Sequence, residues 1–308
     1  MILTVTPNPT VDRVYFVEKF QMGEVHRPIK MTCTAGGKGL NVARVSHILG
    51  EKSATMGFAG GFNGDLIKSQ VESLGIENLF TRINGETRTN VNISDNEGKS
   101  GEILEPGPEI SPEEEKCFFT DFERHISRFK IICAAGSLPK GLDSTFYKKI
   151  IAISKRHNKK IIADTSGKVL EDVISEKPYM IKPNEYELSL LMGKEIKSIE
   201  DIKGALIFLF EKGIEIPLIT LGKDGAMAYV ENKFYKFNSP KVQVKNTVGS
   251  GDSSIAGIAT GLSRGMNIID SIKLGMACGT ANTQFEETGM VSQELVENYY
   301  KEITVDTI

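Results

Sequence analysis

The sequence predicts a doubly wound α/β domain, and three observations predict it. Apolar runs at 131–135, 160–163 and 216–220 alternate with amphipathic stretches at 144–157, 184–193 and 199–212. That is the rhythm of right-handed βαβ crossovers building a parallel sheet covered on both faces. The first third has another texture, short strand-like runs with Gly and Asn between them. Finally, no repeat, low-complexity tract or Pro/Ser linker divides the 308 residues. They read as one domain, with the early polar strands as a small β excursion over its edge.

Taken in order, the chain opens on an apolar run at 2–6, followed by strand-like runs at 11–17, 29–34, 88–94 and 100–105. Helical patterns at 39–49 and 64–74 lie among them, each ending near a glycine as helix C-termini do. Ser111-Pro112-Glu113-Glu114 is a helix start, with Ser as N-cap and Pro at the first helical position. The buried strands and their crossover helices come next, and helices near 252–264, 268–283 and 292–302 complete the chain. Open parallel sheets take ligands beyond the carboxyl ends of their strands, so the residues following those ends are the first candidates for chemistry.

Composition narrows the partners. With 40% hydrophobic residues, a chain this long can bury a substantial core. A net charge of −3 and a pI near 5.9 give no field that would draw nucleic acid or an anionic membrane. An anionic ligand therefore needs a local cluster of Lys, Arg and backbone N–H groups. No basic segment precedes the opening apolar run, and no window has the length of a membrane span. Cys33, Cys117, Cys133 and Cys278 form no CxxC pair and have no His at zinc-ligand spacing. They read as reduced thiols filling the core of a cytoplasmic protein. The four histidines are dispersed and build no Ser/His/Asp arrangement.

The chemistry concentrates in Asn246-Thr247-Val248-Gly249-Ser250-Gly251-Asp252-Ser253-Ser254. Two glycines one residue apart let the backbone turn its N–H groups inward, and the small-residue helix that follows adds its positive end. Asp252 at the mouth of such an anion hole has two explanations. It complements the helix dipole, or it accepts the proton of a hydroxyl about to attack a phosphate. Neither GxxxxGK[ST] nor GxGxxG occurs, which argues against a P-loop NTPase and a dinucleotide-binding unit. A second glycine-rich turn, Ala35-Gly36-Gly37-Lys38-Gly39-Leu40-Asn41-Val42-Ala43-Arg44, also runs into a helix and places Lys38 and Asn41 within reach of a ligand. Two such loops suggest two bound polyanions, such as a nucleotide and a phosphorylated substrate.

With these segments the sequence resembles the ribokinase-like (phosphofructokinase-B) family of sugar kinases, over essentially the whole chain and in the family's order. The 35–44 loop looks like the family's first signature and 246–259 like its second. Between them Gly136-Ser137-Leu138-Pro139 follows a strand, Lys182-Pro183-Asn184-Glu185-Tyr186-Glu187 matches an NxxE element, and Leu221-Gly222-Lys223-Asp224-Gly225 matches a nucleotide loop. The resemblance implies a single three-layer α/β/α kinase domain over 1–308 with a mostly parallel central sheet. It also implies a small β-sheet lid drawn from about 11–35 and 86–106. Asp252 is then the general base, and the N–H groups of Gly249, Ser250 and Gly251 stabilise the transferring phosphoryl group. Asn184 and Glu187 organise Mg²⁺, partly through water. Lys182, Asn184, Thr220, Gly222 and Gly225 line the ATP phosphates and Asn282 the adenine region. Asp12 binds sugar hydroxyls. A monovalent cation is a further cofactor the resemblance admits.

Basic residues point to the class of sugar. Gly37 and Lys38 in the first loop, Arg88 in Gly85-Glu86-Thr87-Arg88-Thr89-Asn90, Arg27 at the start of a lid strand and the hydroxyl of Ser137 together suit a phosphorylated sugar. The features resemble the branch that holds 1-phosphofructokinases and tagatose-6-phosphate kinases. Lys38–Val42, Glu102–Ile110, Gly136–Leu142 and Val248–Ile258 are most similar to the latter, whereas Gly85–Asn92 is equally at home in the former. The expected partners are ATP and a ketohexose phosphate, with no nucleic acid or membrane and with a homodimer through the lid. A neutral-sugar kinase and a non-catalytic sugar-phosphate sensor are the competing readings.

Overall fold

Along the first third of the computed structural model, which describes residues 1–98 and 100–308, strands outnumber helices. They are β1 (Ile2–Thr6), β2 (Thr10–Val17), β3 (Lys30–Gly36), α1 (Lys38–Ile48), β4 (Ser53–Ala59), α2 (Gly61–Ser73), β5 (Glu77–Asn78), β6 (Thr81–Arg82), β7 (Thr89–Asp95) and β8 (Ser100–Leu104). The middle alternates: α3 (Pro112–His125), β9 (Ile131–Ala135), α4 (Thr145–Arg156), β10 (Lys160–Asp164), α5 (Gly167–Ser175), β11 (Met180–Ile181), α6 (Glu185–Met192), α7 (Ile199–Glu211) and β12 (Ile216–Thr220). The last part holds β13 (Ala226–Val230), β14 (Lys233–Asn238), α8 (Ser250–Ser263), α9 (Ile268–Asn282), α10 (Gln293–Glu302) and β15 (Thr304–Thr307).

The main sheet runs β15-β14-β13-β12-β11-β10-β9-β1-β4-β5, with β6 also on β4. From β12 to β5 every pairing is parallel, and β12 to β15 is an antiparallel extension. Alternate residues of one strand serve two cores. Leu3 and Val5 of β1 pack with Phe118, Phe146, Ile150 and Leu206 from α3, α4 and α7. Ile2 packs with Val42, Ile255 and Ile272 from α1, α8 and α9. Burial on both faces is why such strands carry near-continuous apolar runs, and the result is the expected three-layer sandwich.

The expected small sheet is present as β3-β2-β7-β8. It is rooted on α1 and α2 through a third cluster of Val11, Ala35, Leu40, Ile67 and Val71. Several elements differ from the sequence reading. The strand β4, buried throughout, was not anticipated, because SATMGFA carries small and polar residues where a core strand usually shows Val, Ile or Phe. Its Gly57 lies so near β1 that a Cβ there would meet the Thr6 carbonyl oxygen. Helix α5 and the antiparallel strands after β12 were likewise unforeseen.

Candidate active site

The strands β10, β11 and β12 deliver their carboxyl ends to one place, and the N-termini of α1 and α8 face it. Helix α8 starts at Gly249, which adopts φ 81° and gives the helix no side-chain cap. A Cβ at Gly249 would collide with Thr288 and the Gly289 nitrogen, so this turn demands glycine on two counts. The Ser250 N–H bonds the Thr247 carbonyl, and the first intrahelical bond runs from Ser253 to Gly249. Helix geometry therefore leaves the N–H groups of Gly251 and Asp252 without an intrahelical partner. This corrects the expectation for Ser250, whose N–H is committed to the loop itself.

Asp252 is buried (7% exposed) and accepts from the Asn41 amide at 2.8 Å. Burial and the repulsion of Asp164 push its carboxyl up to about 6, against the Asn41 hydrogen bond and the pull of Lys38 and Lys182. Lys38, the first residue of α1 after Gly37 (φ 119°), reaches Asp164 at 3.1 Å. Burial disfavours the ammonium, but Asp164, Asp252 and Glu187 outweigh it and hold Lys38 above its ordinary range. Asp164 is buried too, yet Lys182 and Lys38 hold its carboxyl below the ordinary value. Lys182 is 5% exposed. A Cβ on Gly251 would lie 3.3 Å from its Nζ, so the glycine keeps the space between loop and lysine open. Two lysines thus converge from different walls, α1 and the end of β11, on a pair of carboxylates beside the free N–H groups of α8.

On the lid side, Asp12 lies in β2 and accepts from Asn90 at 3.0 Å. Desolvation raises its pKa, opposed by Asn90, Arg88 and Arg44. Arg88 donates to the Asn8 and Glu105 carbonyls, and the Asn8 amide donates to Ser137 at 3.4 Å. Arg88 and Ser137 are therefore joined through Asn8. Arg27 stands apart: it lies in the exposed loop before β3, beyond the last registered pair Phe16↔Lys30 of the β2–β3 hairpin. The structure does not bring it to this chain's own cluster, because the hairpin carries it away from the end where Gly36 meets the glycine loop.

On the opposite side, Asn184 and Glu187 form a reciprocal cap of α6, each side chain accepting from the other's backbone N–H. Thr220 ends β12 and pairs with Asn184 across an isolated bridge. Gly222 (φ 55°) and Gly225 (φ 91°) shape the turn that follows. Asn282 differs from expectation. It is fully enclosed, and its amide bonds the Val248 carbonyl, Ser250, Ser253 and the N–H groups of Gly289 and Met290. It braces the anion loop from behind and presents no face to a base. Sequence reasoning also passed over Asn8, Arg44 and Asp164. For Asp164 the signal was available, since it directly follows the buried run 161–163. Among the described residues no group of three or more His, Cys, Asp or Glu is placed to hold a metal, and no helix is long and apolar enough to cross a membrane.

A carboxylate poised at an uncapped helix N-terminus, with lysines on either side, is the equipment of phosphoryl transfer to a hydroxyl. The model of the pfkB family of carbohydrate kinases matches residues 8–294, and the chain belongs to that family. It is an ATP-dependent kinase. A tagatose-6-phosphate kinase of Staphylococcus epidermidis is 39% identical over 308 residues, covering 99% of each protein. Phosphofructokinase-2 of Escherichia coli has the same fold. Its potassium complex superimposes with a TM-score of 0.91 at 23% identity, over 98% of each chain. Its complex with fructose-6-phosphate gives 0.89 at 22%, over 98% of each.

Proposed function

We propose that the enzyme moves the γ-phosphoryl group of ATP to a hydroxyl of a ketohexose phosphate, releasing ADP and a ketohexose bisphosphate, with tagatose 6-phosphate the preferred acceptor. The observation that carries this is the uncapped start of α8, where the buried Asp252 and Lys182 meet the partly exposed Lys38. As the acceptor oxygen bonds to the γ-phosphorus and the bond to the bridging oxygen breaks, the hydroxyl proton passes to Asp252. The N–H groups of Gly249, Gly251 and Asp252 and the Lys38 ammonium meet the charge spread over the transferring oxygens. Lys182, Asn184, Thr220, Gly222 and Gly225 hold the nucleotide phosphates, for which the opening kept by Gly251 leaves room.

The residues also fit a hydrated Mg²⁺. Asn184 engages only one Glu187 carboxylate oxygen, which leaves the other for a metal-bound water, and few direct protein ligands are usual for this ion. When bound, Mg²⁺ neutralises phosphate charge. A monovalent cation beside the anion loop agrees with the potassium complex of the Escherichia coli neighbour.

Support for a phosphorylated acceptor comes from the linked Arg88, Asn8 and Ser137, which add a cation and a hydroxyl beyond Asp12. It comes also from the name of the 39% identical relative. Fructose 1-phosphate is the alternative acceptor. The lid exposes Met31, Ile103 and Leu104 on its edge strands β3 and β8, which suits pairing with a second copy. The cytoplasm, which supplies ATP, is the proposed place of action, and all four thiols are free.

The deciding experiment is an ATP/Mg²⁺ coupled assay against tagatose 6-phosphate, fructose 1-phosphate, fructose 6-phosphate and free fructose, with Asp252→Asn beside the parent. The highest kcat/KM on tagatose 6-phosphate is expected, as is a fall in kcat of about 10²–10⁴-fold in the variant. Activity on free sugar alone would show a neutral-sugar kinase. Binding without turnover in the parent would show a sensor.

A further inference from the structure

We propose that Arg44 is a positioning residue for phosphoryl transfer: it locks the Asn41 amide so that the amide N–H faces Asp252 and one Asp252 oxygen remains for the acceptor's proton. The inference rests on Asp252 being the base. The two ends of an amide have nearly the same shape, so only their partners decide which way it points. Arginine has donors and no acceptor. Hence the Asn41 atom at 3.1 Å from Arg44 Nη1 is the oxygen, and the atom at 2.8 Å from Asp252 Oδ2 is the nitrogen. With the amide reversed, N–H would meet guanidinium and oxygen would meet carboxylate, both repulsive. Gly289, where a Cβ would lie 2.9 Å from both the Asn41 Cβ and Oδ1, keeps open the space in which this amide sits.

Arg44 is itself fixed by two carbonyls outside its helix. It donates to Thr288 at 3.0 Å and to Ala35 at 2.5 Å. Ala35 belongs to lid strand β3. Thr288 lies on the loop whose backbone backs Gly249. One guanidinium therefore ties the lid root and the anion loop to the rotamer of the base. The charged group facing Arg44 is Asp12 of β2. Those facing Asp252 are Lys38 of α1, Asp164 of β10 and Lys182 after β11. None of these three charges can replace a directed amide donor at Oδ2, because each acts on the carboxylate as a whole.

The test compares Arg44→Lys, Asn41→Ala, the double variant and Arg44→Gln in the full chain, with ATP/Mg²⁺ and the best sugar phosphate. Arg44→Lys should lower kcat about tenfold or more while KM for both substrates stays within about threefold. The acid limb of kcat/KM should move to higher pH, because an unlocked amide no longer favours the carboxylate. In the Asn41→Ala background, Arg44→Lys should cost nothing further. Full multiplication of the two effects, or an unchanged kcat in Arg44→Lys, overturns the proposal. Should Arg44→Lys not fold, Arg44→Gln reads it instead, since an amide at this position carries an acceptor as well as donors and no longer forces Asn41 to present its oxygen. A large loss of kcat supports the lock, and retained kcat refutes it. A parent that is inactive, or an Asp252→Asn that keeps its kcat, sinks the base assignment itself. An active parent with a dead Asp252→Asn and an unaffected Arg44→Lys sinks only the inference.

Discussion

At the residue scale, Asp252 has a cost that its role would explain. A carboxyl whose folded pKa stands near 6, above the unfolded value, adds stability only below the unfolded pKa and loses it as pH rises through the folded one. At neutral pH the charged form is a penalty. Asp252→Asn is therefore expected to melt at or above the parent's temperature at pH 7.5, by up to about 3 kcal/mol, with the difference closing below pH 5; differential scanning calorimetry reads both. As the proposed base, Asp252 would work only when deprotonated, so kcat/KM should fall as pH drops through about 6. Lys38→Ala should raise KM for the phosphorylated sugar and leave KM for ATP near its parent value, and equal changes in both would remove the assigned role. The sequence made Asp252 and Lys38 visible because glycines flank them. Asp164 and Arg44 have no such frame: Asp164 meets Lys38 from 126 residues away, and Arg44, besides Asn41 and Ala35 nearby, reaches Thr288 244 residues on.

Glycines separate the elements that conformation dictates from those that it does not. Gly225 closes the turn after β12 with φ 91° and ψ −126°, and a Cβ there would overlap the Phe237 carbonyl of β14. Gly204 sits exposed inside α7 with nothing near its missing Cβ. Gly225→Ala should lose at least about 1–3 kcal/mol, whereas Gly204→Ala should gain about 0.5–1 kcal/mol, by denaturant unfolding. Opposite signs are required; a similar response at both would show the turn to be adaptable. Elements with local causes were legible: α3 with its Ser111–Glu114 capping box, the βαβ rhythm, and α8. Short β11 and the antiparallel β13–β15 were not, because their burial comes from neighbouring strands and not from their own periodicity.

Across the whole molecule, the site lies between the sheet's carboxyl edge and a lid hung on the root of β3. In the proposed reaction, closure of this small sheet would exclude water that otherwise competes for the phosphoryl group and would shield the bound sugar phosphate from salt. Raising ionic strength from 0.05 to 0.5 M should therefore weaken sugar-phosphate binding only severalfold, measured by calorimetry; complete loss at modest salt would place the anion on an open surface. The fold class, the alternation of β9, α4, β10, α6, α7 and β12, the two glycine loops and the candidacy of Asp252 as base were all legible in the sequence. Each of these is written in residues that are neighbours along the chain, through apolar runs, caps and glycine spacing. The tertiary structure alone decided that Asp164 sits between Lys38 and Lys182, that Asn282 braces the anion loop, that Arg27 lies away from its own site, and that Arg44 reaches Asp252 through Asn41. Those relations depend on which strand ends meet across the sheet, and that is set by packing of distant segments, which leaves no local pattern to read.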